Sequence, residues 1–140
     1  MKPMFKYRGG KSKEIDRFIN NMPKDYSGYI EPFLGGGALY FHLQPDKAIV
    51  NDINFKLFSF YKEMQKEYPL ARKQLDKLQK IYEENQTIYE RLKKQHPEEK
   101  VENKNEILYY LMRDAFNHKI ETEYLDAVVY FFINKTAYSG

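Results

Sequence analysis

Residues 29–41 read YIEPFLGGGALYF. The run Tyr29–Phe33 reads as a short buried strand, and three glycines follow it at Gly35–Gly37. The glycines open a helix that continues through Leu43 and stops near Pro45, because proline cannot extend a helix. A second strand-like run, KAIVND at 47–52, ends on a carboxylate. A strand, a glycine turn, a helix and a strand in this order make the unit of an α/β fold.

The chemistry of this unit follows from its ends. Glycines let a backbone approach a ligand that a Cβ would exclude. An acidic residue some 15–20 positions later, here Asp52, accepts hydrogen bonds from ribose hydroxyls in doubly wound folds. A dinucleotide fingerprint G-x-G-x-x-G would need glycine at position 40, which is Tyr40. A ribose without a pyrophosphate remains, and S-adenosylmethionine has that shape. The plainer alternative, a βαβ corner whose glycines serve only the turn, stays open from residues 29–52 alone.

The stretch KYRGGKS at 6–12 imitates the tail of a phosphate loop. The pattern G-x-x-x-x-G-K-[ST] places its first glycine at position 5, which is Phe5, and no strand of useful length precedes it. Phosphate binding of that type is not the expectation here.

Composition narrows the setting. The chain of 140 residues carries a formal charge of +3, a pI near 8.8 and no cysteine, so thiolate metal sites and disulfides are out. The mild basicity fits a nucleic-acid partner. No apolar run approaches a membrane span and no signal peptide begins the chain, so the expected location is cytoplasmic. His42, His96 and His118 have no metal-ligand spacing, and no metal is expected.

From residue 55 the pattern turns helical. Leu57, Phe58, Tyr61, Met64 and Tyr68 recur at helical spacing up to Pro69. Leu75, Leu78, Tyr82, Tyr89 and Leu92 follow, broken by Asn85 and ended near Pro97. Asn103 with Glu106 predicts a capping box before an apolar stripe of Ile107, Leu108, Leu111, Met112, Ala115 and Phe116. Thr122 is the expected cap of a last helix that buries Leu125, Val128, Val129, Phe132 and Ile133. The charged stretch 96–106 reads as an exposed linker, and Arg113, Lys119 and the lysines of 93–104 as surface charge. Two parts are expected: 1–54, a partial core with the cofactor motifs, and 55–140, helical.

Three ordered motifs, PMFKYRGGKSK at 3–13 with its flanks, YIEPFLGGGALYF at 29–41 and NDIN at 51–54, together resemble the Dam-like DNA adenine-N6 methyltransferases (class D12, alpha-group). The segments YYLMRDAFN at 109–117 and FFINKTAYSG at 131–140 resemble that family's recognition region. The resemblance implies the N-terminal part of a Rossmann-like, S-adenosyl-L-methionine-dependent core plus a helical target-recognition subdomain. It implies methyl transfer to adenine N6 in double-stranded DNA.

Carried over by residue, Tyr7 and Lys11 match the aromatic and lysine that contact the cofactor. Glu31, Pro32, Phe33, Gly35 and Gly37 match the cofactor loop, with Glu31 near the methionine portion. Asp52 matches the ribose acid, and Ile53 packs near the adenine. Asn134, Lys135, Tyr138 and Ser139 match the start of a DNA-contacting hairpin, Tyr138 being an aromatic that can wedge into the duplex. The family's catalytic D-P-P-Y is absent, since the prolines stand at 3, 23, 32, 45, 69 and 97 and none is adjacent to another. The expectation is therefore an N-terminal portion cut at Gly140, inactive alone, whose partner is the missing C-terminal half. The other reading is a non-catalytic DNA-binding or assembly module derived from such an enzyme.

Overall fold

The structure is a computed structural model that describes residues 1, 3, 4, 7 and 9–137. A single-turn helix α1 (Ile15–Phe18) runs into a 3-10 turn (Ile19–Asn21). It is followed by β1 (Tyr29–Glu31), α2 (Ala38–Leu43), β2 (Ala48–Val50), α3 (Phe55–Gln95), α4 (Lys104–Phe116) and α5 (Asp126–Thr136). The chain divides into two compact units between Ser59 and Phe60. Helices with a small parallel sheet make a mixed α/β arrangement, as the order of elements predicts. Among the described residues no helix is long and apolar enough to cross a membrane.

In the first unit β1 and β2 pair in parallel, Tyr29 beside Ala48, Ile30 beside Ile49 and Glu31 beside Val50. A parallel pair needs a crossover, and α2 supplies it. Both strands are shorter than the runs 29–33 and 47–52 suggest. Pro32 has no N–H to extend the ladder, and Asn51 already turns toward the glycine loop. The α2 helix starts after Gly37 at φ 69° and closes on Gln44 at φ 49°, with Pro45 barring continuation.

Tyr29 faces α2, its ring centroid 6.4 Å from that of Tyr40. The other face carries Ile30 and Ile49, which are 69% and 67% exposed. This corrects the expectation of a buried strand, because one face of the pair is open. Alternation along each strand sends these two isoleucines away from α2, and no described element covers them.

The second unit is helical. The α3 stripe was expected to stop at Pro69, but the helix continues to Gln95 with a kink. Glu67 takes non-helical angles, φ −114° and ψ 22°, two residues before Pro69. The proline withholds an N–H and its ring crowds the preceding turn, so the chain bends there instead of ending. The buried residues are Phe60, Met64, Ala71 and Leu78, whereas Tyr68 is 53% exposed and Phe58, in the first unit, 38% exposed. Asn85 interrupts the apolar pattern without breaking the helix. Its Nδ2 donates to Oδ1 of buried Asn105 at 3.1 Å, and Asn105 Nδ2 donates to the Tyr82 carbonyl at 2.9 Å. Buried amides have to be satisfied, and this pair satisfies itself.

Asn103 caps α4 as expected, its Oδ1 accepting from Asn105 N–H at 3.0 Å. The buried face of α4 is Asn105, Met112 and Ala115, while Ile107 and Leu111, expected inside, are exposed. Turning Asn105 inward rotates those two out. The helix closes on His118, at φ 55°, with His118 N–H donating to the Ala115 carbonyl and Lys119 N–H to that of Asp114, both at 2.9 Å. This is a Schellman closure with histidine where glycine is usual.

The α5 helix buries Ala127, Val128, Val129 and Phe132. Thr122 is not its cap, because its Oγ1 accepts from Tyr124 N–H at 3.3 Å in a turn before the helix. Side chains of α3 take that role. Glu63 Oε2 accepts from Ala127 N–H at 2.6 Å, and Gln74 Oε1 accepts from Leu125 N–H at 2.9 Å. Gln74 Nε2 also donates to the Glu123 carbonyl at 2.9 Å, and Lys77 Nζ pairs with Glu123 Oε1 at 2.8 Å. The hydrogen bond from Lys77 holds the Glu123 carboxyl below its usual range and raises Lys77 in turn. Both side chains are exposed, so water screens the pair. Ring contacts complete the packing, Phe60 to Tyr130 at 5.5 Å and Tyr82 to Phe132 at 6.3 Å.

Glu63 carries a negative charge to a positive helix end, so its loss is expected to be felt locally. Glu63→Ala should cost about 1–2 kcal/mol and accelerate amide hydrogen exchange at Ala127 and its neighbours ahead of the rest of α5. Unchanged exchange there would show that the first turn of α5 stands without Glu63.

Candidate functional site

The loop between β1 and α2 lies at the carboxyl ends of the two parallel strands, where open α/β sheets place their ligands. Its path is held from across the sheet. Asn51 N–H donates to the Glu31 carbonyl at 2.9 Å, and Leu34 N–H donates to the Asn51 carbonyl at 2.8 Å. Asn51 Nδ2 reaches the Pro32 carbonyl at 3.4 Å. Asp52 then ties the glycines directly. Its Oδ2 accepts from Gly35 N–H at 2.7 Å and its Oδ1 from Asn54 N–H at 2.8 Å. Asn54 in turn caps α3, its Oδ1 accepting from Leu57 N–H at 3.2 Å.

Two of the glycines are required by conformation, Gly35 at φ 51° and Gly37 at φ 69°. Proximity requires them as well. A Cβ on Gly37 would stand 2.8 Å from the Phe41 ring. One on Gly36 would stand 2.8 Å from Tyr7 Cβ, and one on Gly35 3.2 Å from the Tyr7 ring. Tyr7 thus lies against the glycine loop. The turn that sends it there closes with Gly10 N–H donating to the Tyr7 carbonyl at 2.9 Å. Two motifs separated by more than 20 residues meet at this point, and the periodicity of neither one reports the meeting.

The sequence-predicted residues are therefore gathered in part. Tyr7, Gly35, Gly37, Asp52, Glu31 and Pro32 surround one loop. Phe33 and Ile53 flank it as apolar surface, 81% and 91% exposed. Lys11 is exposed and paired with Glu14, Nζ to Oε2 at 3.3 Å. Asn134 and Lys135 lie in the last turn of α5, with Lys135 Nζ 5.2 Å from the centroid of the Phe131 ring. Tyr138 and Ser139 lie outside the described residues. Among the described residues no group of three or more His, Asp or Glu could hold a metal ion.

Sequence reading passed over Tyr29, Asn51 and Asn54 as site residues. Tyr29 is buried, and its hydroxyl donates to Glu31 Oε2 at 2.7 Å. Burial first, then the hydrogen bond to Glu31 and its charge, push the Tyr29 phenol well above its ordinary range. The signal was present in the strand period, because residues 29 and 31 share a face. Chemically, the site offers a backbone open to close approach, an aromatic face and two carboxylates at strand ends. That donor set suits a ligand with hydroxyls and a cationic group.

Residues 7–140 match the family described as D12 class N6 adenine-specific DNA methyltransferase. A type II methyltransferase of Methanocaldococcus jannaschii is 31% identical across the whole of this chain and 47% of its own length. A type II methyltransferase of Lactococcus lactis subsp. cremoris is 42% identical over 46% of this chain and 22% of its own. A DNA adenine methylase of Salmonella typhi is 27% identical over 96% of this chain and 41% of its own. The chain spans less than half the length of these relatives.

The loop geometry has a direct consequence for stability. Gly37→Ala forces a side chain into a left-handed conformation against the Phe41 ring and should cost about 1–3 kcal/mol. Gly28→Ala, where a Cβ meets nothing within 4 Å, should shift stability by no more than about 0.5 kcal/mol. Urea unfolding midpoints of the two variants compare them, and equal effects would refute the tight approach at Gly37.

Proposed function

The chain belongs to the D12 class of N6 adenine-specific DNA methyltransferases, and from that premise we propose that it forms the S-adenosylmethionine corner of such an enzyme. The observation that carries the reading is the meeting of Tyr7 and Asp52 on the Gly35–Gly37 loop at the carboxyl ends of β1 and β2. S-adenosylmethionine supplies the methyl group. Asp52 receives the ribose hydroxyls, since each carboxylate oxygen retains a lone-pair site beyond the backbone N–H it accepts. Glu31 and Lys11 face the amino-acid end as opposite point charges for its ammonium and carboxylate. Gly35 and Gly37, with Pro32 and Phe33, shape the loop, while Tyr7 and Ile53 offer ring and aliphatic surface to the adenine and sulfonium.

The exposed Ile30 and Ile49 support a larger Rossmann-like sheet around these two strands, because parallel sheets are covered on both faces. Residues 55–140 form the helical target-recognition portion, and Asn134, Lys135, Tyr138 and Ser139 approach double-stranded DNA in the cytoplasm. The D-P-P-Y motif does not occur in these residues. The groups that orient the adenine amine therefore come from polypeptide that completes the enzyme, and positioning supplies much of the rate in such a transfer. The target adenine is flipped out of the duplex to be reached.

A tritiated-methyl transfer assay on adenine-containing duplex tests this. The 140-residue chain alone should incorporate no label, and the enzyme completed by a D-P-P-Y-bearing polypeptide should. Asp52→Ala in the completed enzyme should weaken cofactor binding by about 1–3 kcal/mol, read by calorimetry. DNA affinity should fall steeply with salt. Wild-type affinity in Asp52→Ala would remove Asp52 from the site. Salt-sensitive DNA binding without any transfer by the completed enzyme would favour a non-catalytic DNA-binding module.

A further inference from the structure

The Glu31 carboxylate stands at the last position of β1, just before the loop. A glutamate there has three rotatable bonds and would ordinarily sample several orientations. In this chain it does not stand alone. Tyr29, two residues earlier on the same face, is 9% exposed and packs beside Tyr40. Its hydroxyl donates to Glu31 Oε2 at 2.7 Å, within the range of a phenol bond to a carboxylate, whose charge strengthens it. The ring is fixed by burial and the hydroxyl by the ring, so the carboxylate is fixed by the hydroxyl.

We propose that Tyr29 is a positioning residue for cofactor binding, whose buried hydroxyl holds Glu31 in the orientation that receives the cationic amino group of the cofactor's amino-acid end. This rests on the reading of Glu31 given above. The raised phenol keeps its proton throughout the working range of pH, so the donor is always present. Because a carboxylate has about four acceptor sites, one bond from Tyr29 leaves room for the ligand. Pre-orienting the side chain removes the cost of ordering it when the ligand arrives.

The test compares two ligands that share a nucleoside and differ at the amino-acid end. S-adenosylhomocysteine has the ammonium, and 5′-methylthioadenosine lacks it. Calorimetry is run on the completed enzyme for wild type, Tyr29→Phe and Glu31→Gln. Tyr29→Phe keeps the ring and its packing, and should weaken S-adenosylhomocysteine by roughly three- to ten-fold while leaving 5′-methylthioadenosine unchanged. A merely structural role would move both ligands alike. Equal losses, or no loss, in Tyr29→Phe overturn the proposal while leaving Glu31 at the amino-acid end. Glu31→Gln should lose S-adenosylhomocysteine selectively. If it binds both ligands as wild type does, the placement of Glu31 fails, and the role of Tyr29 fails with it.

Discussion

The Asp52 carboxylate accepts one backbone N–H from Gly35 and one from Asn54, and these two bonds join the glycine loop to the start of α3. A carboxylate receiving two N–H donors is a strong, charge-assisted anchor. Remove it, and the loop between β1 and α2 keeps its bonds to Asn51 and the contact with Tyr7 but loses its tie to Asn54. Glycines at φ 51° and 69° have large conformational freedom to lose, so such a loop needs an external tie. The residue proposed to receive the ribose is thus the one that orders the loop beside it.

Around that anchor the first unit is economical. Its parallel pair has three residues on each strand, far below what holds a sheet together unaided. Cohesion comes from the side-chain and backbone bonds that continue past the strand ends through Asn51, Asp52 and Asn54, and from the Tyr7, Tyr29, Tyr40 and Phe41 rings around the loop and α2. Ile30 and Ile49 leave an apolar face on this pair that no described element covers.

The second unit is organised by exchange of polar groups between helices. Asn85 donates to Asn105, which donates in turn to the Tyr82 carbonyl, and Glu63 and Gln74 serve as caps for a helix more than 50 residues away in sequence. Such contacts specify one register where an apolar stripe alone would allow several. They also explain the side chains that an apolar pattern misplaces. Ile107 and Leu111 point outward because Asn105 points in, and Thr122 yields the capping position because an α3 carboxylate reaches Ala127 first.

Local rules account for the elements and for the motifs. Period and breakers place β1, α2 and β2 within a residue or two of the expected strands and helix, because Pro32, the glycines and Pro45 act on their immediate neighbours. Asn103 caps α4 for the same reason. The glycine turn at Gly35–Gly37 and the acid that follows β2 were legible, since a left-handed turn and a carboxylate at a strand end are local features. Long-range satisfaction was not legible. Pro69 bends a helix that later packing keeps whole, and a buried asparagine sets the face of α4. Tyr7 meets its glycines only when segments more than 20 residues apart fold together, whereas the Tyr29–Glu31 pair follows from the strand period alone. Residue type and spacing set what each segment can do, while the partners of buried polar groups and close-packed rings follow from which segments fold against one another, a matter of tertiary contact.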